Sequence, residues 1–303
     1  MIIQSKRRKV PSAQSVYGYL FIIPAILGIF LFVAGPMIYS LFLSFTDWNI
    51  LDKAHWVSFD NYQKIFTEDD LFYKSLKVTF YYSALTVVGT LLVSFIVALL
   101  LNTNIKGRAL FRVVFYLPSI VPVIAGSVLW VWMYDTDFGL LNHLLGGIGI
   151  GKQLWISGEH TAVPSLTLAT IWGTGNTILI FLAGLQDVPK HLLEAVDIDG
   201  GNGWHKLKSV TIPLMSPTIF FNFLMGFVGA FTGFTQSYAM TNGGPNNATL
   251  MYVFNIYREG FTNQHMGYAC ALAWVLFIIM MALTFLIFKT SNRWVHYEGG
   301  GNG

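Results

Sequence analysis

The stretch VTFYYSALTVVGTLLVSFIVALLL, residues 78–101, contains 24 consecutive residues without Asp, Glu, Lys, Arg or His. At about 1.5 Å per helical residue, such a run is long enough to cross a hydrocarbon core of about 30 Å. Five further runs of 21 to 29 residues share this property, and they are residues 17–45, 113–134, 163–185, 218–240 and 268–288. The sequence therefore predicts an all-α polytopic membrane protein with six transmembrane helices.

The composition supports this fold class. Of the 303 residues, 54% are hydrophobic and only 11% are charged, whereas a soluble domain carries about 25% charged residues. All of the charged residues lie between or beyond the six runs, so the deficit belongs to the runs alone. This pattern excludes an ordinary soluble protein. Pro24 and Pro36 lie inside the long first run and predict a kinked or tilted helix there.

Orientation follows from the positions of the basic residues. Six spans place both termini on one side, together with the 102–112 and 186–217 loops, and this side carries twelve Lys and Arg against five acids. The opposite side carries six Lys and Arg against ten acids. The positive-inside rule therefore predicts that both termini and the 186–217 loop are cytoplasmic. The predicted organisation is a basic N-terminal segment (1–16), one six-helix membrane domain (17–288) and a cytoplasmic tail (289–303), and the basic residues 6–9 are interpreted as an orientation signal rather than a nucleic-acid site.

Several motifs that suggest chemistry lack the required context. The run from Gly146 to Gln153 differs from a phosphate-binding loop only at its last residue, where Gln153 replaces Ser or Thr, but it lies in a predicted external loop rather than between a strand and a helix. The seven histidines are scattered without the spacing of metal ligands. The single cysteine, Cys270, excludes an internal disulfide. We expect no catalytic residue, bound metal or cofactor in this chain.

The spans themselves carry no ionisable acid, base or histidine. Proton-coupled carriers, pumps and voltage sensors generally need such groups at membrane depth. This pattern favours a neutral solute and an energy source outside the spans, although sodium coupling through backbone carbonyls stays open.

The fourth and fifth spans do contain polar and aromatic side chains that suit a hydroxyl-rich ring such as a sugar. The candidate substrate-contacting residues are Trp172, Thr174, Asn176, Thr232, Thr235, Gln236 and Tyr238. Thr232 and Gln236 are four residues apart and are expected to share one helix face. The alternative is that these residues join helices to each other, a common use of Ser, Thr, Asn and Gln in membranes.

The loop at residues 186–217 is predicted to form two short helices. Asp187 and Pro189 mark the start of the first helix, and Gly200 ends it. The second has an apolar face spaced by three residues and is expected to end at Pro213. The exposed acidic residues of the loop suit docking to a basic cleft of another protein, and a plain surface loop is the alternative.

The same loop resembles a known motif. Glu194-Ala195-Val196, Asp199-Gly200 and Ile212-Pro213 resemble the EAA loop of bacterial ATP-binding-cassette (ABC) import permeases, in the carbohydrate subgroup of maltose, lactose and glycerol-3-phosphate permeases. Further matches lie at residues 56–62, 112–118, 183–186 and 241–245. The chain departs from the pattern at Val196 and Gly201, where Ala is usual, and at Leu207, where Phe is common. Gly201 is expected to loosen the loop.

The resemblance implies a permease subunit in the bacterial cytoplasmic (inner) membrane that forms half of a translocation pore for a sugar or oligosaccharide. Its partners would be a second homologous permease, two cytoplasmic ATPase subunits that hold ATP and magnesium, and an extracytoplasmic solute-binding protein. The implied ATPase-coupling residues are Glu194, Ala195, Val196, Asp199, Gly200 and Pro213. A permease for another solute such as glycerol-3-phosphate, and an ion-coupled secondary carrier, are the alternatives.

Overall fold

The computed structural model describes residues 13–104 and 106–296, and side chains from residue 17 onward. The basic residues 6–9 and the end of the predicted tail, from residue 297, lie outside the described residues. The described part of the chain is helical, with one isolated antiparallel bridge between Thr46 and Trp56 and no longer strand. An all-α polytopic architecture is therefore confirmed.

The α-helices are α1 (Ala13–Ile29), α2 (Gly35–Leu43), α3 (Asp60–Thr67), α4 (Asp70–Asn102), α5 (Arg108–Tyr116), α6 (Val123–Met133), α7 (Leu140–Gly147), α8 (Ala162–Trp172), α9 (Gly175–Asp187), α10 (Lys190–Ile198), α11 (Gly203–Lys206), α12 (Ile212–Thr232), α13 (Thr235–Thr241), α14 (Tyr252–Tyr257) and α15 (Met266–Ser291). Wider π-helical turns occupy Phe30–Ala34, Leu207–Thr211 and Arg258–Thr262, and a 3-10 turn occupies Leu117–Ile120.

Four described helices are long and apolar enough to cross a membrane, and they are Tyr17–Leu43, Asp70–Asn102, Gly203–Thr232 and Met266–Ser291. The runs at 113–134 and 163–185 do not form single straight helices. The first bends by 100° between α5 with its 3-10 turn and α6, and the second bends by 53° between α8 and α9. The described part of the chain thus has four uninterrupted spans, or up to six if each bent pair is one span.

Helix α4 lies at the centre of the bundle and packs against α8, α9, α12 and α14. At one end of α4, Phe72 belongs to an apolar cluster with Tyr252 and Leu272. At the other end, Leu101 packs in a cluster with Leu185 of α9. Helix α4, which contains the apolar run 78–101, is therefore the central helix of the bundle.

Two prolines lie just after π-helical turns. The Gly35 N–H donates to the Phe30 carbonyl, and the Ile212 N–H donates to the Leu207 carbonyl, each five residues back. Pro36 and Pro213 follow directly and have no N–H to donate. The wider turn accommodates each proline, so the helix continues through it. The prediction that Pro213 ends the second loop helix is therefore wrong: α11, the π-helical turn and α12 form one span, and half of the 186–217 loop belongs to it.

The start of α15 is joined to the segment after α2 by direct backbone contact. The Gly267 N–H donates to the Trp48 carbonyl at 2.9 Å. A Cβ added at Gly267 would lie 2.0 Å from the Thr46 carbonyl oxygen and 3.0 Å from the Trp48 nitrogen. Only a residue without a side chain fits between these two backbones.

Gly267→Ala is expected to lower the free energy of unfolding by about 1–3 kcal/mol, because the new methyl group displaces backbone atoms. The measurement is the midpoint of thermal unfolding of the purified full chain in detergent. Gly28→Ala is the matched control, since a Cβ there meets nothing within 4 Å. Equal midpoints for the two variants would contradict this role of Gly267.

Candidate functional site

A cavity of about 480 Å³ lies where three helices are interrupted. Its lining includes Val121 between the 3-10 turn and α6, Gly173 and Thr174 between α8 and α9, and Gly233 and Phe234 between α12 and α13. Helix interruptions leave backbone groups unpaired, and at membrane depth they are tolerated only where protein or a water-filled cavity surrounds them. The three interruptions therefore mark this cavity as the candidate site.

Local chemistry explains where two of the helices stop. Val121 precedes Pro122 and is extended, with ψ of 128°, as expected for a residue before proline. Pro122 then caps α6. After α12, Gly233 is also extended, with ψ of 137°. The signals that interrupt these spans are therefore single residues within otherwise continuous apolar runs.

Five of the seven candidate substrate-contacting residues line the cavity, and they are Trp172, Thr174, Asn176, Thr235 and Gln236. Thr232 does not, and its hydroxyl donates to the Val228 carbonyl of its own helix at 2.8 Å. Thr232 and Gln236 do not share one helix face, because α12 ends at Thr232 and the extended Gly233 redirects the chain. Tyr238 also lies outside the lining and packs against the rings of Phe254 and Tyr257.

Gln236 is joined to two residues that sequence reasoning missed. Its Oε1 accepts from the Thr170 hydroxyl at 2.6 Å and from the Tyr82 hydroxyl at 3.1 Å, and these hydroxyls are 2.8 Å apart. The three side chains connect α13, α8 and α4 beside the cavity. Tyr82, Thr86 and Thr90 of α4 all line it. Their spacing of four residues in a charge-free run was a signal that could have identified them.

The cavity offers hydroxyl, amide and aromatic groups. The rings of Trp130 and Trp172 meet edge to face with centroids 6.0 Å apart. Asn176 is exposed, and its amide has no intrachain hydrogen-bond partner among the described residues. Within the described part of the chain, the lining contains no Asp, Glu, Lys, Arg or His. Such a surface suits a neutral, polar solute with apolar faces.

The predicted coupling loop forms a short helix with two different sides. Helix α10 runs over Lys190–Ile198, and Gly200, with φ of +77°, follows it as predicted. Leu193 packs against the core cluster of α4, α9 and α12. Glu194, Ala195 and Asp199 are exposed, and Ile198 is 87% exposed. Asp197 is paired with Lys206 at 2.6 Å, whereas Glu194 has no ion pair among the described residues. Val196 and Pro213 are half-buried.

The sequence predicts that Gly201 loosens this loop, but in the structure Gly201 is closely packed. Its N–H donates to the Val196 carbonyl at 2.8 Å, and a Cβ at Gly201 would lie 2.4 Å from Val196 Cγ1. A Cβ there would also lie 2.9 Å from the Val196 carbonyl oxygen, so both the backbone and the side chain of Val196 exclude the usual alanine at position 201.

The segment after α6 is folded by its own polar side chains. Asp135 accepts from the backbone N–H groups of Phe138 and Asp137, and these bonds hold the pKa of its carboxyl below the usual value. The Asn142 Oδ1 accepts from the Gln153 N–H and the Trp155 indole. The glycine-rich run 146–153 thus begins in the last two residues of α7 and continues as a loop held at Gln153, which is not the setting of a phosphate-binding loop.

Comparison with known proteins identifies sequence relatives along almost the whole chain. A family model described as "Binding-protein-dependent transport system inner membrane component" matches residues 90–296. The probable ABC transporter permease protein YesP of Bacillus subtilis (strain 168) is 39% identical over 297 residues, covering 97% of this chain and 96% of the relative. The multiple sugar-binding transport system permease protein MsmF of Streptococcus mutans is 32% identical over 280 residues, covering 91% and 96%.

A solved structure has the same fold. It is a chain of the bacterial alginate ABC transporter in complex with an alginate pentasaccharide-bound periplasmic protein, with a TM-score of 0.82 over 92% of this chain and 95% of the other. The sequences are 19% identical, so this likeness concerns the fold alone.

Gln236→Leu is expected to lower the free energy of unfolding by about 1–3 kcal/mol, because the Tyr82 and Thr170 hydroxyls lose their shared acceptor. Thr232→Val is the control, since the Thr232 hydroxyl bonds only within its own helix. The measurement is the midpoint of thermal unfolding of both variants in detergent, and we expect the lower midpoint for Gln236→Leu. If Gln236→Leu unfolds at the same midpoint as Thr232→Val, the network contributes nothing to stability.

Proposed function

The chain belongs to the family of binding-protein-dependent transport system inner membrane components, and from this premise we propose that it forms half of the pathway through which an ATP-driven importer takes up a neutral sugar or oligosaccharide. The observation that carries the proposal is the cavity at the three helix interruptions, lined by hydroxyl, amide and tryptophan side chains and by no charged side chain among the described residues.

A sugar matches this lining better than an ion or a charged metabolite does. Its hydroxyl groups pair with Asn176, Thr235 and other polar side chains, while its apolar ring faces pack on Trp130 and Trp172. MsmF, which is 32% identical to this chain, is a permease of a multiple sugar-binding transport system. A glycerol-3-phosphate-like anion is the second candidate, but it would find no basic side chain in the described lining.

The proposed arrangement in the membrane counts each bent helix pair as one span. Six spans then place both termini in the cytoplasm, with the 186–217 coupling loop on the same side, in agreement with the excess of Lys and Arg there. The membrane domain is residues 17–288, between the N-terminal segment 1–16 and the tail 289–303.

The proposed complex contains a second, homologous permease that completes the pathway and two ATPase subunits that bind the coupling loops. ATP and magnesium are held by those subunits, so this chain is not itself an enzyme. A solute-binding protein delivers the sugar from outside, in line with the family description and with the periplasmic protein of the solved complex. ATP binding biases the paired subunits between two states, and the loop carries that bias into the membrane.

The side of α10 that carries Glu194, Ala195, Ile198 and Asp199 is the proposed ATPase contact. Exposed apolar surface beside unpaired carboxylates suits a cleft with a basic rim. Leu193, on the other side, fixes the helix to the core. Val196 and Gly200 shape this contact, and Pro213 lies just after the π-helical turn of the span Gly203–Thr232 that returns to the membrane.

Glu194→Lys is expected to lower the amount of ATPase subunit that copurifies with the permease by about tenfold, because it places a cation against the basic rim. The measurement is copurification from detergent, together with substrate-stimulated ATP hydrolysis of the assembled complex. Glu68→Lys, an exposed charge reversal outside the coupling loop, is the control. Unchanged copurification and hydrolysis in Glu194→Lys would remove Glu194 from the contact.

Asn176→Ala is expected to raise the KM of ATP-dependent sugar uptake about three- to tenfold through the loss of one solute hydrogen bond. Uptake is measured in proteoliposomes that hold the full complex, and the sugar is identified beforehand by a ligand screen on the copurified binding protein. Thr232→Ala is the control, since Thr232 lies outside the cavity lining. Equal KM values would assign Asn176 to structure rather than to solute binding. ATP-independent counterflow by this chain alone would instead indicate a secondary carrier.

A further inference from the structure

Two contacts, eleven residues apart on α9, fix this helix to α5 and its 3-10 turn. We propose that Gln186 is a positioning residue: it locks α5 to α9, so that movement of the coupling helix α10 reaches the cavity wall at Pro118 and Ser119. This inference rests on the proposed function, since it assigns a route between the ATPase contact and the solute cavity.

The first contact lies at the cavity end of α9. A Cβ added at Gly175 would lie 2.8 Å from Ser119 Oγ and 2.9 Å from the Phe115 carbonyl oxygen. The backbone of α9 therefore touches the end of α5 without an intervening side chain. Asn176, the next residue, lines the cavity together with Pro118 and Ser119. At this end the helix pair itself forms the cavity wall.

The second contact lies at the other end of α9. Both guanidinium groups can only donate, so the Gln186 side-chain amide is assigned with Oε1 rather than Nε2 facing α5; in this orientation Oε1 accepts from Arg108 Nη2 at 3.2 Å and from Arg112 Nη2 at 3.1 Å. The two arginines are one helical turn apart, and their Nε atoms are buried without a hydrogen-bond partner. Neither arginine forms an ion pair with a carboxylate among the described residues. Gln186 therefore holds together two like charges that would otherwise repel each other.

The coupling helix connects directly to this pair. Helix α9 ends at Asp187, Val188 is buried in the core cluster with Leu185, and Pro189 begins α10. Only this short, restrained segment separates Gln186 from the helix that carries Glu194. With both contacts intact, α5 and α9 move as one body. Without Gln186, only the Gly175 contact remains, and α5 is free to pivot about it.

Two of the further sequence matches to carbohydrate permeases meet at this contact. Residues 112–118 begin with Arg112, and residues 183–186 end with Gln186. The two segments lie far apart in the chain, yet their terminal side chains are hydrogen-bonded. Gln186 lies outside the cavity lining and contacts the arginine pair, so it is placed to act through that pair rather than through direct contact with a solute.

The test uses the complete complex with its ATPase and binding protein in proteoliposomes and measures sugar molecules imported per ATP hydrolysed. Gln186→Leu removes the acceptor and is expected to lower this ratio about fivefold or more. Gln186→Glu restores an acceptor of equal reach and is expected to retain a ratio within about twofold of the unmodified complex. Gln63→Leu, an exposed glutamine on α3, is the matched control and is expected to change nothing.

Backbone hydrogen exchange of residues 108–116 is measured on the same preparations and does not depend on transport. Gln186→Leu is expected to accelerate it about tenfold through loss of the charge-assisted bonds, and Gln186→Glu is expected to restore protection. Unchanged exchange, or an unchanged import ratio, in Gln186→Leu would overturn the inference. If the unmodified complex imports no sugar, the proposed function fails while the exchange measurement still decides the Gln186 contact. Should Gln186→Leu not assemble, the shorter Gln186→Asn must show the same loss of protection.

Discussion

The requirement that no backbone N–H or carbonyl group be left unpaired in hydrocarbon constrains the whole structure. It favours helices for every long apolar run, and it restricts where a helix can stop. The interruptions at Val121, at Gly173-Thr174 and at Gly233-Phe234 all face one cavity. Protein surrounds the released backbone groups there, or water in the cavity reaches them. The same constraint that builds the bundle therefore selects the place where a solute can bind, because interrupted helices expose the polar groups that a solute needs.

Much of the architecture could be predicted from the sequence because the exclusion of charge from hydrocarbon is strong and extends over many residues. The central helix α4 contains the whole run 78–101, and the last apolar run lies within α15. The interruptions could not be predicted in the same way, because each depends on one or two residues whose effect is decided by their neighbours. Pro122 separates two helices, whereas Pro213 lies within a continuous span, since a π-helical turn precedes it. The charge pattern cannot distinguish these two cases.

The candidate site was predictable in kind but not in detail. Spacing placed Thr232 beside Gln236 on one continuous helix, and the extended Gly233 removes that relation. Tyr82 and Thr170 could be found only from the contact between α4, α8 and α13, which brings residues far apart in sequence within hydrogen-bond distance. The packing of Gly201 in the coupling loop could not be predicted from the sequence either. Its close packing on the backbone and side chain of Val196 arises only in the folded loop, whereas glycine in the sequence alone suggests a looser one.

The described cavity lining carries no charged side chain, whereas the carboxylates of α10 are exposed at the proposed ATPase contact. The described lining offers no ionisable side chain to hold a coupling proton, and this agrees with the proposal that opening and closing are driven from the ATPase contact. Helix α9 is suited to transmit this movement, because one end of α9 reaches the cavity wall at Asn176 and the other continues through a short restrained segment into α10. In the proposed mechanism α9 carries α5 with it because the two helices are attached near both ends of α9. The close backbone approach at Gly175 and the arginine pair at Gln186 provide those two attachments, so the solute cavity and the proposed ATPase contact belong to one mechanical unit.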